Sequence, residues 1–321
     1  MPFGSPSLKE SAKLRQTSLK NLELMVKNLS SMMDSTSAAV IFELLITLLK
    51  HSEQGQAALG LVYRIVHSIF HVDSLTTSDH LAKLSDAIIS RLYDMEWDIR
   101  DATIDFVASL FSGNDDSSER RFTFGIQLIK PVINRCKDSE PSVRFKALWA
   151  LQSMIKNNAA WTYMNTEGLI LPLVRQCLEE CLQDSEALVR RGAVDLLSTF
   201  VTILAFNPSL ILSRESGADE WKLGESMLKK LVSDDSDWEV RICTLNFLFA
   251  LLDRAFSQSD NELIDWVVNV KGDELLEKST TDDSRLVRAE SASIIAKLLP
   301  LLKQRPDCSI GRSSENGFKT S

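Results

Sequence analysis

Cysteine is scarce in this sequence and never paired at short range. Its five residues, Cys136, Cys177, Cys181, Cys243 and Cys308, are odd in number and scattered, with no CxxC. A disulfide framework is thereby excluded, and a reducing interior, cytosol or nucleus, is the expected compartment. Only four histidines occur; His67 and His71 stand four apart, but no HExxH motif or third ligand accompanies them, so neither a metal nor any other cofactor is expected. Cys177 and Cys181, also four apart, read as buried helix-packing thiols. No P-loop, nucleophile elbow, dinucleotide fingerprint or kinase signature is present. No apolar run reaches about 18 residues, and Met1 to Pro6 has no basic stretch leading into an apolar one, so neither a membrane span nor a secretory leader is expected. Basic excess is lacking too: the net charge of −8 argues against binding a phosphate backbone, and no direct nucleic-acid partner is expected.

One phrase recurs instead. It is an Asp, then five positions on a Val or Ile, then an Arg, and a small residue three beyond that Arg. It reads Asp94…Ile99-Arg100…Thr103, Asp138…Val143-Arg144…Ala147, Asp184…Val189-Arg190…Ala193, Asp235…Val240-Arg241…Thr244 and Asp282…Val287-Arg288…Ser291. The aliphatic position returns after 44, 46, 51 and 47 residues, close to the period of about 40–47 residues of helical repeats. Behind it run apolar columns: Ile104, Leu148, Val194, Leu245 and Ala292 five positions on, and Val107, Leu151, Leu197, Leu248 and Ile295 eight on. Leu110, Met154, Phe200, Leu251 and Leu298 follow at eleven, and Phe111, Ile155, Val201, Leu252 and Leu299 at twelve. These offsets trace one face of an α-helix, and the period of two that a strand needs is absent.

The phrase has a physical reading. The first N–H groups of a helix need acceptors, which the Asp and its polar neighbours supply, and Pro141 suits a first helical position. The small residue lets a partner helix approach, and the Arg stands where it can join its own repeat's Asp to a neighbour's. In this the chain resembles HEAT repeats, whose Asp and Arg rows form ladders between consecutive units. By that resemblance Asp94, Arg100, Asp138, Arg144, Asp184, Arg190, Asp235, Arg241, Asp282 and Arg288 are architectural. Carboxylates one repeat apart do not converge on a pocket as an acid–base pair must, so no catalytic residue is assigned.

The expected fold is all-α, a HEAT/armadillo-like α-solenoid of stacked antiparallel helix pairs. Residues 1–7 are expected to be a disordered tail, 8–77 divergent N-terminal helical repeats, 78–305 five HEAT-type repeats and 306–321 a disordered C-terminal tail. In the first part, Leu14, Leu22, Met25, Val26 and Leu29 are candidate buried positions of one helix, and Val40, Ile41, Leu44, Leu45, Leu48 and Leu49 of the next. Helix pairs are then expected near 78–92 and 97–112, 121–136 and 141–156, 168–182 and 187–205, 219–232 and 238–255, and 260–278 and 285–304. Each hairpin leaves an apolar stripe that only a neighbour can cover. Asn157 to Gly168, with Trp161 and Tyr163, and the Ser-rich Asn207 to Glu220 read as loops along one edge, where partners reach. Trp97 and Trp238, two residues before the motif aliphatic, are candidate partner contacts with Trp161, edge packing being the plainer alternative.

Particular phrases carry a narrower resemblance. Glu96-Trp97-Asp98-Ile99-Arg100-Asp101, Asp184-Ser185-Glu186 with Arg190-Arg191-Gly192-Ala193-Val194, and Asp237-Trp238-Glu239-Val240-Arg241 resemble the C-terminal half of one family. These are the ATM-kinase activators associated with the breast-cancer type 1 susceptibility protein, and the likeness is collinear from about Arg15 to Leu302. It implies a non-enzymatic scaffold of nucleus and cytoplasm in the DNA-damage response. The implied protein partners are the ATM kinase, the breast-cancer type 1 susceptibility protein and the endonuclease module of the Integrator RNA-processing complex. Members of that family end in a Cys-Tyr pair that contacts the endonuclease; here Lys319-Thr320-Ser321 stand last and Cys308 is followed by Ser309, so that contact is not expected to carry over. The alternative is a transport-receptor or phosphatase-scaffold adaptor with an acidic binding surface.

Overall fold

The computed structural model describes residues 8–29, 35–50, 56–70, 78–113, 118–212 and 222–303. Both expected tails lie outside the described residues, as do His71, Cys308 and most of the Ser-rich insert. Cα packing divides the chain into two compact units, Met1–Tyr163 and Met164–Ser321.

In the first unit the helices are α1 (Leu8–Leu29), α2 (Ser35–Lys50), α3 (Gln56–Ile69), α4 (Ser78–Leu92), α5 (Trp97–Ser109), α6 (Ser118–Ile126), α7 (Ile129–Arg135) and α8 (Pro141–Ile155). Two rows result, α1 on α3 on α5 on α8, and α2 on α4 on α7, with α4 against α5 and α7 against α8. The second unit holds α10 (Ile170–Glu179), α11 (Ala187–Thr202), α12 (Glu225–Lys229), α13 (Trp238–Gln258), α14 (Asn261–Asn269), α15 (Gly272–Lys278) and α16 (Arg285–Lys303), and α9 (Asn158–Thr166) runs across the boundary. There α11 packs on α13 and α13 on α16, with α12 against α15. Among the described residues no strand forms; Leu212 and Leu223 make one isolated bridge. The fold is an all-α armadillo/HEAT-like solenoid.

The apolar columns explain the rows. Ile104 and Val107 of α5 with Leu110 at its C-cap, Leu148, Leu151 and Met154 of α8, and Leu245, Leu248 and Leu251 of α13 are all sealed from solvent. Each such side chain contributes roughly 1.5–3 kcal/mol. The small column is buried throughout, from Thr103 to Ser291. Thr103 Oγ1 donates to Ile99 O at 2.6 Å, the bond that neutralises a hydroxyl inside a helix, and lies 2.7 Å from the Tyr63 hydroxyl of α3.

The columns fail at both ends. Ala292 and Leu299 of α16 are exposed, because among the described residues α13 packs on one side of that helix and no further long helix packs on the other. On α1, Leu19 and Val26 are buried against α3, whereas Leu14 and Met25, expected inside, are 68% and 56% exposed. On α2, Leu45 and Leu49 are buried while Val40 and Leu44 are exposed. The side chain of Leu29 lies outside the described residues.

Three expected elements come out differently. The helix near 121–136 breaks between α6 and α7, where Leu128 N–H bonds to Gly125 O. A Cβ on Gly125 would stand 2.9 Å from the Phe111 ring, so the glycine lets the end of α6 press on that side chain. The expected loop Asn157–Gly168 is largely helical. Asn157 Oδ1 accepts the N–H groups of Ala159 and Ala160 at 3.0 and 3.1 Å, a full N-cap. Gly168, at φ +65°, ends the turn. The helix near 260–278 is split because Lys271 takes a left-handed φ of 57°. Gly272 follows, where a Cβ would meet Val267 Cγ1 at 2.8 Å.

In the second unit the end of α11 is held by one side chain of α13. Arg254 donates from Nη1 to Val201 O and Ile203 O at 2.8 and 2.9 Å, and from Nη2 to Leu204 O and Phe206 O at 3.3 and 2.7 Å. Carbonyls at a helix C-terminus carry partial negative charge and lack intrahelical donors. Replacing Arg254 with Met, which keeps most of the stem, is expected to lower stability by about 2–4 kcal/mol. Urea unfolding monitored by circular dichroism measures the loss, and hydrogen exchange locates it at residues 199–206.

Candidate functional site

The motif arginines all hold their own repeat's main chain, and three of them, Arg100, Arg190 and Arg241, also reach forward to a carboxylate. In the first unit Arg100 of α5 donates from Nε to Asp138 Oδ2 at 2.9 Å and from Nη2 to Asp138 Oδ1 at 2.6 Å. Its Nη1 reaches back to the carbonyls of Asp94 and Met95, at 2.8 and 3.0 Å. In the second unit Arg190 makes the same fork on Asp235, at 2.7 and 2.8 Å, with Nη1 on the carbonyls of Asp184 and Ser185 at 2.8 and 3.0 Å. Arg241 places Nη2 on Asp282 and Asp283, at 2.9 and 2.6 Å, and Nη1 on Asp235 O at 2.7 Å. Arg144 donates to the carbonyls of Asp138 and Ser139, and Arg288 to those of Asp282 and Asp283.

Arg100, Arg190 and Arg241 therefore reach forward to the next repeat's carboxylate while holding their own repeat's main chain. The own-repeat carboxylate does other work. Asp94, Asp138, Asp184 and Asp235 each accept the N–H two residues on, at 2.9 to 3.1 Å, and Asp282 accepts Ser284 N–H at 2.8 Å. That turn aims the chain into the following helix.

These pairs are sheltered: Asp138 and Arg100 side chains are 1% and 9% exposed. Burial pushes the Asp138 carboxyl up, but Arg100, the Glu140 N–H and Arg135 outweigh it and hold the group below the ordinary carboxylate value. Asp282 is likewise lowered against its burial, by Ser284 N–H and Arg241. Two residues absent from the motif also take part. Arg91 donates to Asp94 Oδ2 at 2.5 Å and to the carbonyl of Leu49, and Arg135 reaches Asp138 Oδ2 at 3.0 Å. Their signal was an Arg three positions before the Asp, present in only these two repeats.

The tryptophans are placed differently from one another. Trp97 opens α5 and is 47% exposed; Trp238 opens α13, beside the Asp237 cap, at 39%; Trp161 is half-buried within α9. The turn before α5 is the more open apolar site, because Met95 there is 95% exposed and Tyr93 is half-exposed. Asn134 donates to the Tyr93 hydroxyl at 3.1 Å, and the Arg135 guanidinium lies 4.1 Å from the ring centre. The ring is thus fixed in place rather than free to turn inward.

Opposite charges also pair between successive helices of these rows. In the first unit Lys146 of α8 bridges Asp101 and Asp105 of α5 at 3.8 and 3.0 Å, and its ammonium stands 5.4 Å from the Trp149 ring. In the second unit Arg191 pairs with Glu239, and the Asp195 carboxyl, raised by burial, shares a hydrogen bond with Cys243. Cys177 and Cys181 are buried. Among the described residues no three His, Cys, Asp or Glu side chains are grouped to hold a metal ion, and no helix is long and apolar enough to cross a membrane.

Removing Arg100 leaves the buried Asp138 carboxylate only Arg135 and the Glu140 N–H, so Arg100→Ala is expected to cost about 3 kcal/mol, the low end for a broken buried pair, while Arg100→Met with Asp138→Leu costs less. Because Asp138 titrates lower folded than unfolded, its contribution is complete above about pH 4 and is lost as pH falls through the lower folded value. The acid decline in Tm should accordingly be shallower in the double variant than in the wild type.

Comparison with known proteins places this geometry in context. The family model described as BRAT1, Integrator complex assembly factor BRAT1, matches residues 7–287. The Danio rerio protein of that description is 23% identical over 235 residues, which are 68% of this chain and 27% of the relative. The chain thus spans about a quarter of the length of that curated relative. Among solved structures, an engineered protein is 17% identical with a TM-score of 0.53, over 79% of this chain and 97% of its own. A designed armadillo repeat protein in complex with the peptide (KR)4 is 19% identical with a TM-score of 0.51, over 78% and 97%.

Proposed function

We propose that this chain, which belongs to the Integrator complex assembly factor BRAT1 family, is a non-enzymatic scaffold that holds subunits of the Integrator complex, its endonuclease module above all. The observation that carries this reading is the family match over residues 7–287 on a chain whose repeated Asp and Arg side chains are committed to one another. With those groups engaged between repeats, the surface left for work is the turns. The α4–α5 turn, with Met95 and Trp97, supports a protein contact: exposed aromatic and thioether side chains on a rigid turn lose little entropy when buried by a partner.

In the same proposal the chain serves the DNA-damage response through the ATM kinase and the breast-cancer type 1 susceptibility protein, in nucleus and cytoplasm. The likeness of the Glu96–Asp101 and Asp237–Arg241 phrases to those activators supports it. The adaptor alternative needs an acidic surface; Lys146 pairs with both Asp101 and Asp105, which leaves one negative charge in excess there.

Affinity purification of the tagged chain from nuclear and cytosolic extracts, followed by mass spectrometry, tests the reading. Integrator endonuclease subunits are the expected catch, with the ATM kinase as the second. Recovery of neither by a folded helical chain overturns it. Met95→Ala with Trp97→Ala is expected to weaken retention about tenfold, the scale of one interface hot spot, with Tm unchanged.

A further inference from the structure

The turn between α4 and α5 carries side chains that the fold itself leaves unanswered. Tyr93, Met95 and Trp97 alternate along it and all are exposed, Met95 almost fully, although described helices stand on both sides of the turn in the chain. The two rings differ in one respect. Tyr93 already has a cation, the Arg135 guanidinium 4.1 Å from its ring centre, whereas among the described residues no cation stands over Trp97.

The charges around the turn are just as uneven. Arg91 is taken up by Asp94, Arg100 and Arg135 by Asp138, and Lys146 is shared between Asp101 and Asp105. That leaves Glu96 and Asp98, the two neighbours of Trp97 in the chain, with no cation among the described residues. A helix start favours acids through its dipole, which accounts for Asp98 in the first turn of α5. Glu96 has no such use, for it makes no side-chain cap. The second unit repeats the acid–Trp–acid phrase and spends it. There Asp237 caps α13 by accepting the N–H groups of Glu239 and Val240 at 2.9 and 3.1 Å, and Glu239 pairs with Arg191.

An open indole between two free carboxylates, with a thioether beside it, selects one partner chemistry. A guanidinium stacks flat on an indole and donates in its own plane, so a single arginine can face the ring and both acids together. The flexible Met95 side chain adapts to an apolar neighbour of that arginine. We propose that this turn receives an arginine of the partner protein, laid on the Trp97 ring with its guanidinium toward Glu96 and Asp98, and an adjoining apolar residue against Met95. This arginine seat rests on the reading of the turn as a protein contact and adds the chemistry that the contact selects.

The probe is the capped peptide Gly-Ser-Leu-Arg-Leu-Ser-Gly, compared with the same peptide carrying citrulline, which keeps the planar shape without the charge. Binding to the full chain is read by NMR from the Met95 methyl and the Trp97 indole N–H, assigned through Met95→Ala and Trp97→Ala. Both signals are expected to move with the arginine peptide, and citrulline should weaken binding about fivefold. Glu96→Gln with Asp98→Asn should weaken the arginine peptide by a similar factor, leave the citrulline peptide unaffected and keep the wild-type Tm. Glu167→Gln with Asp253→Asn, which removes the same charge from exposed positions of the second unit, should change nothing. No movement of either signal at about 10 mM peptide overturns the proposal, and so do equal affinities for the two peptides or an equal loss in the two charge variants. The same variants separate this failure from that of the contact itself. If Met95→Ala with Trp97→Ala loses Integrator subunits in the purification while Glu96→Gln with Asp98→Asn keeps them, the contact stands with no arginine in it and the proposal falls. If neither variant loses them, the turn is no contact and both readings of it fall.

Discussion

A guanidinium that reaches from one repeat into the next repeat's turn is the constraint on which the rest hangs. Hydrophobic stacking supplies most of the energy that holds neighbouring helices together, but it is non-directional and tolerates sliding. The forked Arg100–Asp138 and Arg190–Asp235 pairs do not tolerate it. Two parallel bonds in a sheltered space fix distance and angle together. Each Asp also bonds the N–H that starts its own helix, so the register between repeats and the entry angle of a helix are set by one side chain.

That double duty leaves the repeated carboxylates poorly suited to acid–base chemistry. A carboxylate held low by a buried arginine and two further donors, as Asp138 is, is a poor proton carrier near neutrality. Among the exposed groups are Met95, Trp97 and Trp238, on turns and helix starts. In this member of the BRAT1 family the Asp and Arg rows are thus turned to one another, and apolar side chains stand exposed between them.

Much of this was legible in the sequence because it repeats. Offsets of five, eight, eleven and twelve after Ile99, Val143 or Val240 could be read only as a helix face, and the small residue at Thr103 or Ala147 only as a close contact. The connections were harder. Asn157 caps a helix that the run of polar residues around Trp161 disguised, and Lys271 adopts a left-handed turn that no composition signals. The direction of the Arg fork was hidden as well, since spacing alone cannot say whether Arg100 holds Asp94 or Asp138. Leu14 and Met25 were misplaced for a plainer reason: periodicity marks which face is apolar and is silent on whether a neighbour covers it.

The forward reach of the arginines gives the array a polarity that its nearly symmetric helices do not have. Cut away a repeat on the C-terminal side of Arg100 or Arg190, and a sheltered cation loses its counter-ion. Cut away one on the N-terminal side, and the orphaned Asp still has its turn N–H to bond. Each cut therefore bares a charge of its own sign, a guanidinium after a C-terminal cut and a carboxylate after an N-terminal one, so the two faces that a unit of this kind can present are chemically unlike.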